Sequence, residues 1–212
     1  MSIAAILLAA GRSRRMGRFK PLLPFGDATV AERCVRYLLE GGADEVVVVT
    51  GTRGDEVRRA LTHLPVSFAV NPEAESEMGR SIALGVEGLS IDAAAILVAL
   101  VDQPAIPPGV PRALIHEWQR SGAKLLVPEY AGRGGHPVLI DASLRAELLS
   151  LDEQGGLRAL FDRYRGQVSR VPVESPYIAR DMDTWDDYRA LFKEVFGAEP
   201  PAVDVQHESG AS

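Results

Sequence analysis

Three apolar runs constrain this chain most: Ile3–Ala10, Val46–Thr50 and Ala93–Val101. None carries a charge or alternates with polar residues, so each reads as a strand covered on both faces. Val66–Val70 and Lys124–Val127 are shorter strand candidates. Helical patterns fill the intervals. Thr29–Glu40 places Val30, Cys34 and Tyr37 or Leu38 on one face, and Asp55–Leu64 spaces Val57, Leu61 and Leu64 as a buried stripe. Ser81–Leu89, Val110–Arg120, Ala142–Leu149 and Leu157–Tyr164 continue the alternation. Thr184, with Asp187 three residues on, reads as the cap of a last helix, Trp185–Phe196. The expected fold is therefore α/β: a doubly wound, mostly parallel sheet with helices on both faces. One domain is expected over residues 1–196, and the Pro-, Glu-, Ser- and Gly-rich segment 197–212 reads as a disordered tail.

A length of 212 residues suits one such domain. With 46% hydrophobic and 25% charged residues, collagen-like, coiled-coil and wholly disordered readings are excluded. No apolar run approaches the roughly 20 residues of a membrane helix. Nor does a Lys or Arg precede Ile3, as a secretory signal would require. Membrane association is thus not expected, and the cytoplasm is the expected location. A single cysteine, Cys34, excludes a disulfide framework and a multi-cysteine metal site, and it reads as core packing. The net charge of −6 argues against a nucleic-acid partner.

Charge placement says more than the total. The first apolar run leaves through Leu8-Ala9-Ala10-Gly11-Arg12-Ser13, and five of the nine residues from Arg12 to Lys20 are basic: Arg12, Arg14, Arg15, Arg18 and Lys20. Ligands of doubly wound folds bind at the carboxyl ends of strands, where this loop lies. Gly11 and Ser13 let backbone amides approach an anion, and the basic cluster suits a triphosphate. A solvated basic turn is the plainer alternative. Neither G-x-x-x-x-G-K-[ST] nor G-x-G-x-x-G is present.

The segment L-A-A-G-x-S-x-R-M-G, followed by Lys20-Pro-Leu-Leu, resembles the opening of nucleotidyltransferases that activate molybdopterin and isoprenoid precursors. The nearest resemblance is to molybdenum cofactor cytidylyltransferases. Guanylyl-transferring relatives usually carry Gly-Gly where this chain has Ala10-Gly11. The resemblance implies a Rossmann-like, glycosyltransferase-A-like fold whose loop wraps base and triphosphate. Lys20 would then contact phosphate, and Arg15 matches the family arginine.

Further motifs agree. Asp102-Gln103-Pro104 closes an apolar strand, where a carboxylate is costly unless it faces a cleft or a cation. A turn or cap Asp is the alternative, but D-Q-P matches the cytidylyltransferases, whose Asp binds the metal. Asp181-Met182-Asp183-Thr184 resembles their D-[IM]-D-T segment, which makes Asp183 the second ligand; dipole complementation at a helix start is the alternative. Gly134-Gly135-His136-Pro137-Val138 matches a G-H-P segment, so Gly135, His136 and Pro137 are the candidate acceptor site, with His136 donating to a pterin phosphate or a dithiolene-side group. Asn71 and Ser81 flank a helix start suited to an anion or base, although Arg80 stands where relatives often carry a small residue. Trp118 and Trp185 read as packing residues.

What these readings imply together is transfer of CMP from CTP to the terminal phosphate of a molybdopterin-type cofactor, releasing pyrophosphate. Mg²⁺ on Asp102 and Asp183 would hold the α-phosphate, with Lys20 and Arg15 taking up charge. Leu8, Ala9, Ala10, Gly11, Arg12, Ser13, Lys20, Asn71, Ser81 and Asp102 would surround the nucleotide. A molybdoenzyme or its chaperone is a possible recipient of the product. Two enzyme alternatives are guanylyl transfer to the same cofactor and cytidylyl transfer to a sugar or polyol phosphate. A non-catalytic cofactor carrier is the alternative of another kind, against which the retained Lys20, Asp102 and Asp183 argue.

Overall fold

The computed structural model describes residues 1–11, 13, 15–73, 78–151 and 155–202. In chain order the strands are β1 (Ile3–Ala9), β2 (Pro24–Phe25), β3 (Ala28–Thr29), β4 (Glu45–Thr50), β5 (Ser67–Val70), β6 (Ala95–Leu100), β7 (Leu125–Tyr130), β8 (Arg133–Gly134), β9 (Val138–Asp141) and β10 (Val168–Pro172). The α-helices are α1 (Val30–Glu40), α2 (Gly54–Ala60), α3 (Met78–Glu87), α4 (Gly109–Ser121), α5 (Arg145–Leu149), α6 (Gly156–Arg163) and α7 (Trp185–Phe196).

The main sheet runs β10-β7-β9-β6-β1-β4-β5, with β8 hydrogen-bonded to β7. β1 is parallel to both β4 and β6, and β4 is parallel to β5. β9 alone in the main path runs against its neighbours β6 and β7. The sheet is thus mostly parallel with helices on both faces, as the apolar runs imply. Successive residues of β1 serve opposite layers. Ile3, Ala5, Leu7 and Ala9 join the core under α1, α4 and α7, while Ala4 and Ile6 join that under α3, α5 and α6. This is why the run shows no alternation: neither face meets water.

Several expected bounds shift. The helix expected at 55–64 ends at Ala60, and Thr62 Oγ1 bonds back to the Arg58 and Arg59 carbonyls in the turn that follows. The helix expected from Ser81 starts at Met78. The segment expected as one helix at 142–149 is a 3₁₀ turn, Ala142–Leu144, leading into α5, with Asp141 capping the Ser143 amide. The β2–β3 hairpin, β9 and β10 lie outside the sequence expectations. Cys34 is fully buried, and burial pushes its thiol well above the ordinary range, as suits packing rather than nucleophilic chemistry. Thr184 caps α7 in a reciprocal box with Asp187. Of the expected tail, residues 197–202 are described: Gly197 takes a left-handed φ of 69° at the end of α7, and Glu199 pairs with Arg189 and Lys193. Residues 203–212 lie outside the described residues.

The chain proceeds from β1 outward to β4 and β5, then returns to place β6 on the other side of β1. The order reverses at β1, and the crevice beyond the carboxyl ends of β1 and β6 is where such folds bind ligands. The loop 10–20 and the segment 101–104 meet there.

Candidate functional site

The loop leaving β1 curls around Ser13. Its carbonyl accepts the Met16 and Gly17 amides (3.1 and 3.2 Å), and its Oγ accepts the Lys20 amide at 3.1 Å. Ser13 holds φ at 52°, a left-handed conformation that costs an L-residue about 1–2 kcal/mol. Beside it, the turn after β4 packs close enough that a Cβ on Gly51 would stand 2.7 Å from the Ala10 carbonyl oxygen. Two cation–π contacts fasten the same loop. Arg18 lies 4.6 Å over the Trp185 ring at the start of α7, and Arg53 lies 4.2 Å over the Phe19 ring. α7 is anchored in turn by an aromatic cluster of Phe25, Tyr188, Phe192 and Phe196, with Tyr188 OH donating to the Pro24 carbonyl at 2.7 Å.

These fixtures deliver three charged groups to one point. Lys20, only 7% exposed, donates from Nζ to Asp102 Oδ2 and to Asp183 Oδ1, each at 3.3 Å. Arg15 Nη2 lies 3.0 Å from the other Asp183 oxygen, with most of its side chain in solvent. The backbone joins the two acidic segments as well, since the Met182 amide donates to the Asp102 carbonyl at 3.0 Å. Residues distant in sequence, Lys20, Asp102 and Asp183, therefore converge.

The site's electrostatics are unbalanced at Asp102. Burial pushes its carboxyl above the ordinary carboxylate range; Lys20 opposes this, while Asp181 and Asp183 add to it. Asp102 Oδ1 is buried and has no hydrogen-bond partner among the described residues. An orphaned anionic oxygen beside a second carboxylate suits a divalent cation. No group of three or more His, Cys, Asp or Glu arranged for a metal occurs among the described residues. Two protein carboxylates nevertheless fit Mg²⁺ or Mn²⁺ when substrate phosphates and water complete the shell. The fit is to a metal shared with substrate, not to a closed protein cage.

Two cavities flank this centre. One, of about 270 Å³, is lined by Leu8, Ala10, Gly11 and Ser13 from the first loop, by Asn71 and Ser81, and by Lys20 and Asp102. Asn71 Nδ2 donates to Ser81 Oγ at 2.9 Å, which ties the end of β5 to α3. Ala9 instead turns into the core on the opposite face of β1, and Arg12 and Arg14 lie outside the described residues. Glu73 and Met78 also line this cavity, and no motif in the sequence singles them out.

The other cavity, of about 390 Å³, contains Gly135 and His136 in its wall, while Pro137 is buried beside it. Gly135 packs directly against protein backbone. A Cβ on Gly135 would stand 1.9 Å from the Ile178 carbonyl oxygen, which accepts the His136 amide at 2.8 Å. Burial pushes the His136 imidazole below its ordinary range, with Asp181 opposing, so it is neutral at pH 7. Gln103 and Asp181 belong to the motifs above without an expected role, yet both line this cavity. Their adjacency to Asp102 and Asp183 is the signal that points to them.

Residues 5–168 match the MobA-like NTP transferase domain family. A protein named nicotine blue oxidoreductase from Paenarthrobacter nicotinovorans is 34% identical over 205 residues, covering 89% of this chain and 96% of its own. The molybdenum cofactor cytidylyltransferase of Escherichia coli K12 is 24% identical over 188 residues, covering 88% of this chain and 94% of its own. Among solved structures, Rv0371c of Mycobacterium tuberculosis H37Rv in complex with manganese is 28% identical, with a TM-score of 0.78 over 92% of this chain and all of that one. No helix among the described residues is long and apolar enough to cross a membrane.

Proposed function

The chain belongs to the MobA-like NTP transferase family and is a nucleotidyltransferase, and from that premise we propose that it transfers CMP from CTP to the terminal phosphate of a molybdopterin-type cofactor. The observation that carries this reading is the convergence of Lys20, Asp102 and Asp183 between two cavities. One cavity would take the nucleotide and the other the acceptor, so that the reacting phosphates meet at the charged centre.

The reaction is a displacement at phosphorus. An oxygen of the acceptor's terminal phosphate forms a bond to the α-phosphorus as the bond from that phosphorus to the α–β bridging oxygen breaks. Pyrophosphate leaves with the electron pair, and no covalent enzyme intermediate is required. The protein's work is positioning and charge neutralisation. Lys20 and Arg15, held against Asp102 and Asp183, would take up charge on the triphosphate and the leaving pyrophosphate. Ser13 and Gly11 supply the curled backbone at the phosphates, while Asn71 and Ser81 stand at the far wall of the nucleotide cavity. Asp102 and Asp183 would hold a divalent cation, Mg²⁺ in this reading, and the manganese complex of the Mycobacterium tuberculosis relative supports a metal of this class. When bound, that cation supplies neutralisation of phosphate charge and lowers the cost of building it up in the transition state.

CTP is assigned over GTP on the first loop, where Ala10 narrows the slot formed by Leu8–Gly11; cytidylyl- and guanylyltransferase relatives each span about nine-tenths of the chain and do not separate the two nucleotides. The test is pyrophosphate release across the four nucleotides, with and without molybdenum cofactor. Release with CTP that depends on the cofactor is expected. A kcat/KM for GTP equal to or above that for CTP overturns the nucleotide assignment, and CTP binding without pyrophosphate release points to a carrier. The 34% identity to a protein named nicotine blue oxidoreductase favours a second reading, oxidation or reduction of a small molecule in the larger cavity. The Lys20–Asp102–Asp183 centre suits phosphate chemistry, and an NAD(P)H-consumption assay in the absence of CTP separates the two readings.

A further inference from the structure

The larger cavity has a distinctive chemistry. Among the described residues its wall carries no Lys or Arg, and its apolar part includes Val127, Leu157 and Phe161. The polar groups are Gln103, Asp181 and a neutral His136. Gln103 is 2% exposed, and its Nε2 donates to Asp181 Oδ1 at 2.7 Å. A carboxylate cannot donate, so the amide nitrogen must face Asp181 and the amide orientation is decided by chemistry. Gln103 Oε1 is then an acceptor, buried and without a partner among the described residues. Leaving such an atom unpaired is costly, and a ligand donor that reached it would remove that cost. Asp181 is exposed, and its charge stands where an anionic phosphate would be repelled. The cations that suit a phosphate stand elsewhere: Lys20 lines the smaller cavity, and Arg15 pairs with Asp183.

Acceptor atoms in an apolar, cation-free cavity call for a ligand with hydrogen-bond donors and no negative charge at that end. We propose that Asp181, oriented by Gln103, is a specificity-determining residue. It selects an uncharged planar acceptor ring by paired N–H donors, the edge presented by a 2-aminopyrimidin-4-one, while the acceptor's phosphate stays outside on the Lys20 side. The inference deepens the reading that this cavity holds the acceptor, and it rests on that reading. Paired N–H groups meet a carboxylate much as a guanidinium does, through two near-parallel hydrogen bonds. A ring carrying a carbonyl in place of the amino group would set oxygen against oxygen at Asp181.

The test is equilibrium binding of two small probes, pterin and lumazine, to the full chain without CTP or metal. They differ in that lumazine carries a carbonyl where pterin has its 2-amino group. Pterin should bind roughly tenfold or more tightly than lumazine. Asp181→Asn should remove most of that preference, and Gln103→Leu should reduce it, because Asp181 loses its orienting donor. Melting curves identify any variant that fails to fold, and the wild-type ratio stands without the variants. Equal binding of the two probes, binding of neither, or an Asp181→Asn protein that keeps the full ratio would overturn the proposal. Failure of the transfer reading has a different signature: no pyrophosphate release with CTP while the pterin preference and its dependence on Asp181 persist.

Discussion

Asp102 carries two opposed demands. Burial favours its neutral acid, while a metal-binding role needs the carboxylate. Because the folded-state pKa is raised, the stability tied to this group is present at low pH and is lost as pH climbs through the raised value. In metal-free protein at pH 8, Asp102→Asn should therefore melt no lower than wild type, since Lys20 keeps Asp183 as a partner. Added Mg²⁺ or Mn²⁺ should raise the melting temperature of wild type and not of the variant. Melting curves at pH 5 and 8, with chelator and with metal, check both points; a variant destabilised at pH 8 without metal contradicts them. His136 has the opposite sign. Its lowered pKa contributes stability above about pH 6.5, the ordinary histidine value, and that contribution is lost as pH falls through the folded value. His136→Ala should lose less stability on acidification than wild type, and should weaken acceptor binding or turnover while CTP affinity stays near wild type. Equal loss of both affinities would mark a structural histidine.

The elements show what a sequence discloses and what it withholds. β1, β4 and β6 were legible because burial on both faces leaves continuous apolar runs. β9 was not, since four residues directly after Pro137 carry too little pattern, and its antiparallel direction depends on β6 and β7. Lys20, Asp102 and Asp183 were legible through motifs at a loop, a strand end and a helix start. The pairing of Gln103 with Asp181 was not, because it is created by tertiary contact, the Met182 amide meeting the Asp102 carbonyl. The end of α7 carries a further expectation. Glu199 pairs with Arg189 and Lys193 through exposed side chains, and such solvent-screened pairs contribute little to stability. Deleting 197–212 should leave turnover intact and move the melting temperature by no more than about 2–4 °C. A larger drop would mean that the segment docks on the domain.

At the scale of the whole molecule, the topology makes the site. Reversal of strand order at β1 opens one crevice, and the adjacent Asp102 and Gln103 line its two cavities, the proposed nucleotide side and the proposed acceptor side. An acidic chain thus confines its exposed cationic loop to the place where a triphosphate would enter, which favours capture of that ligand. On the proposed mechanism, the two carboxylates and Lys20 act as one charge-stabilising unit in nucleotidyl transfer. The direct measurement is kcat of Asp102→Asn, Asp183→Asn and the double variant at saturating Mg²⁺, CTP and acceptor, with melting curves alongside. Loss of one charge-stabilising group commonly costs about 10²–10³ in kcat. Asp102→Asn should approach that loss, Asp183→Asn should lose less, and the double variant should fall short of the product of the two, because one site is being dismantled. A folded Asp102→Asn enzyme that turns over at the wild-type rate would contradict the account.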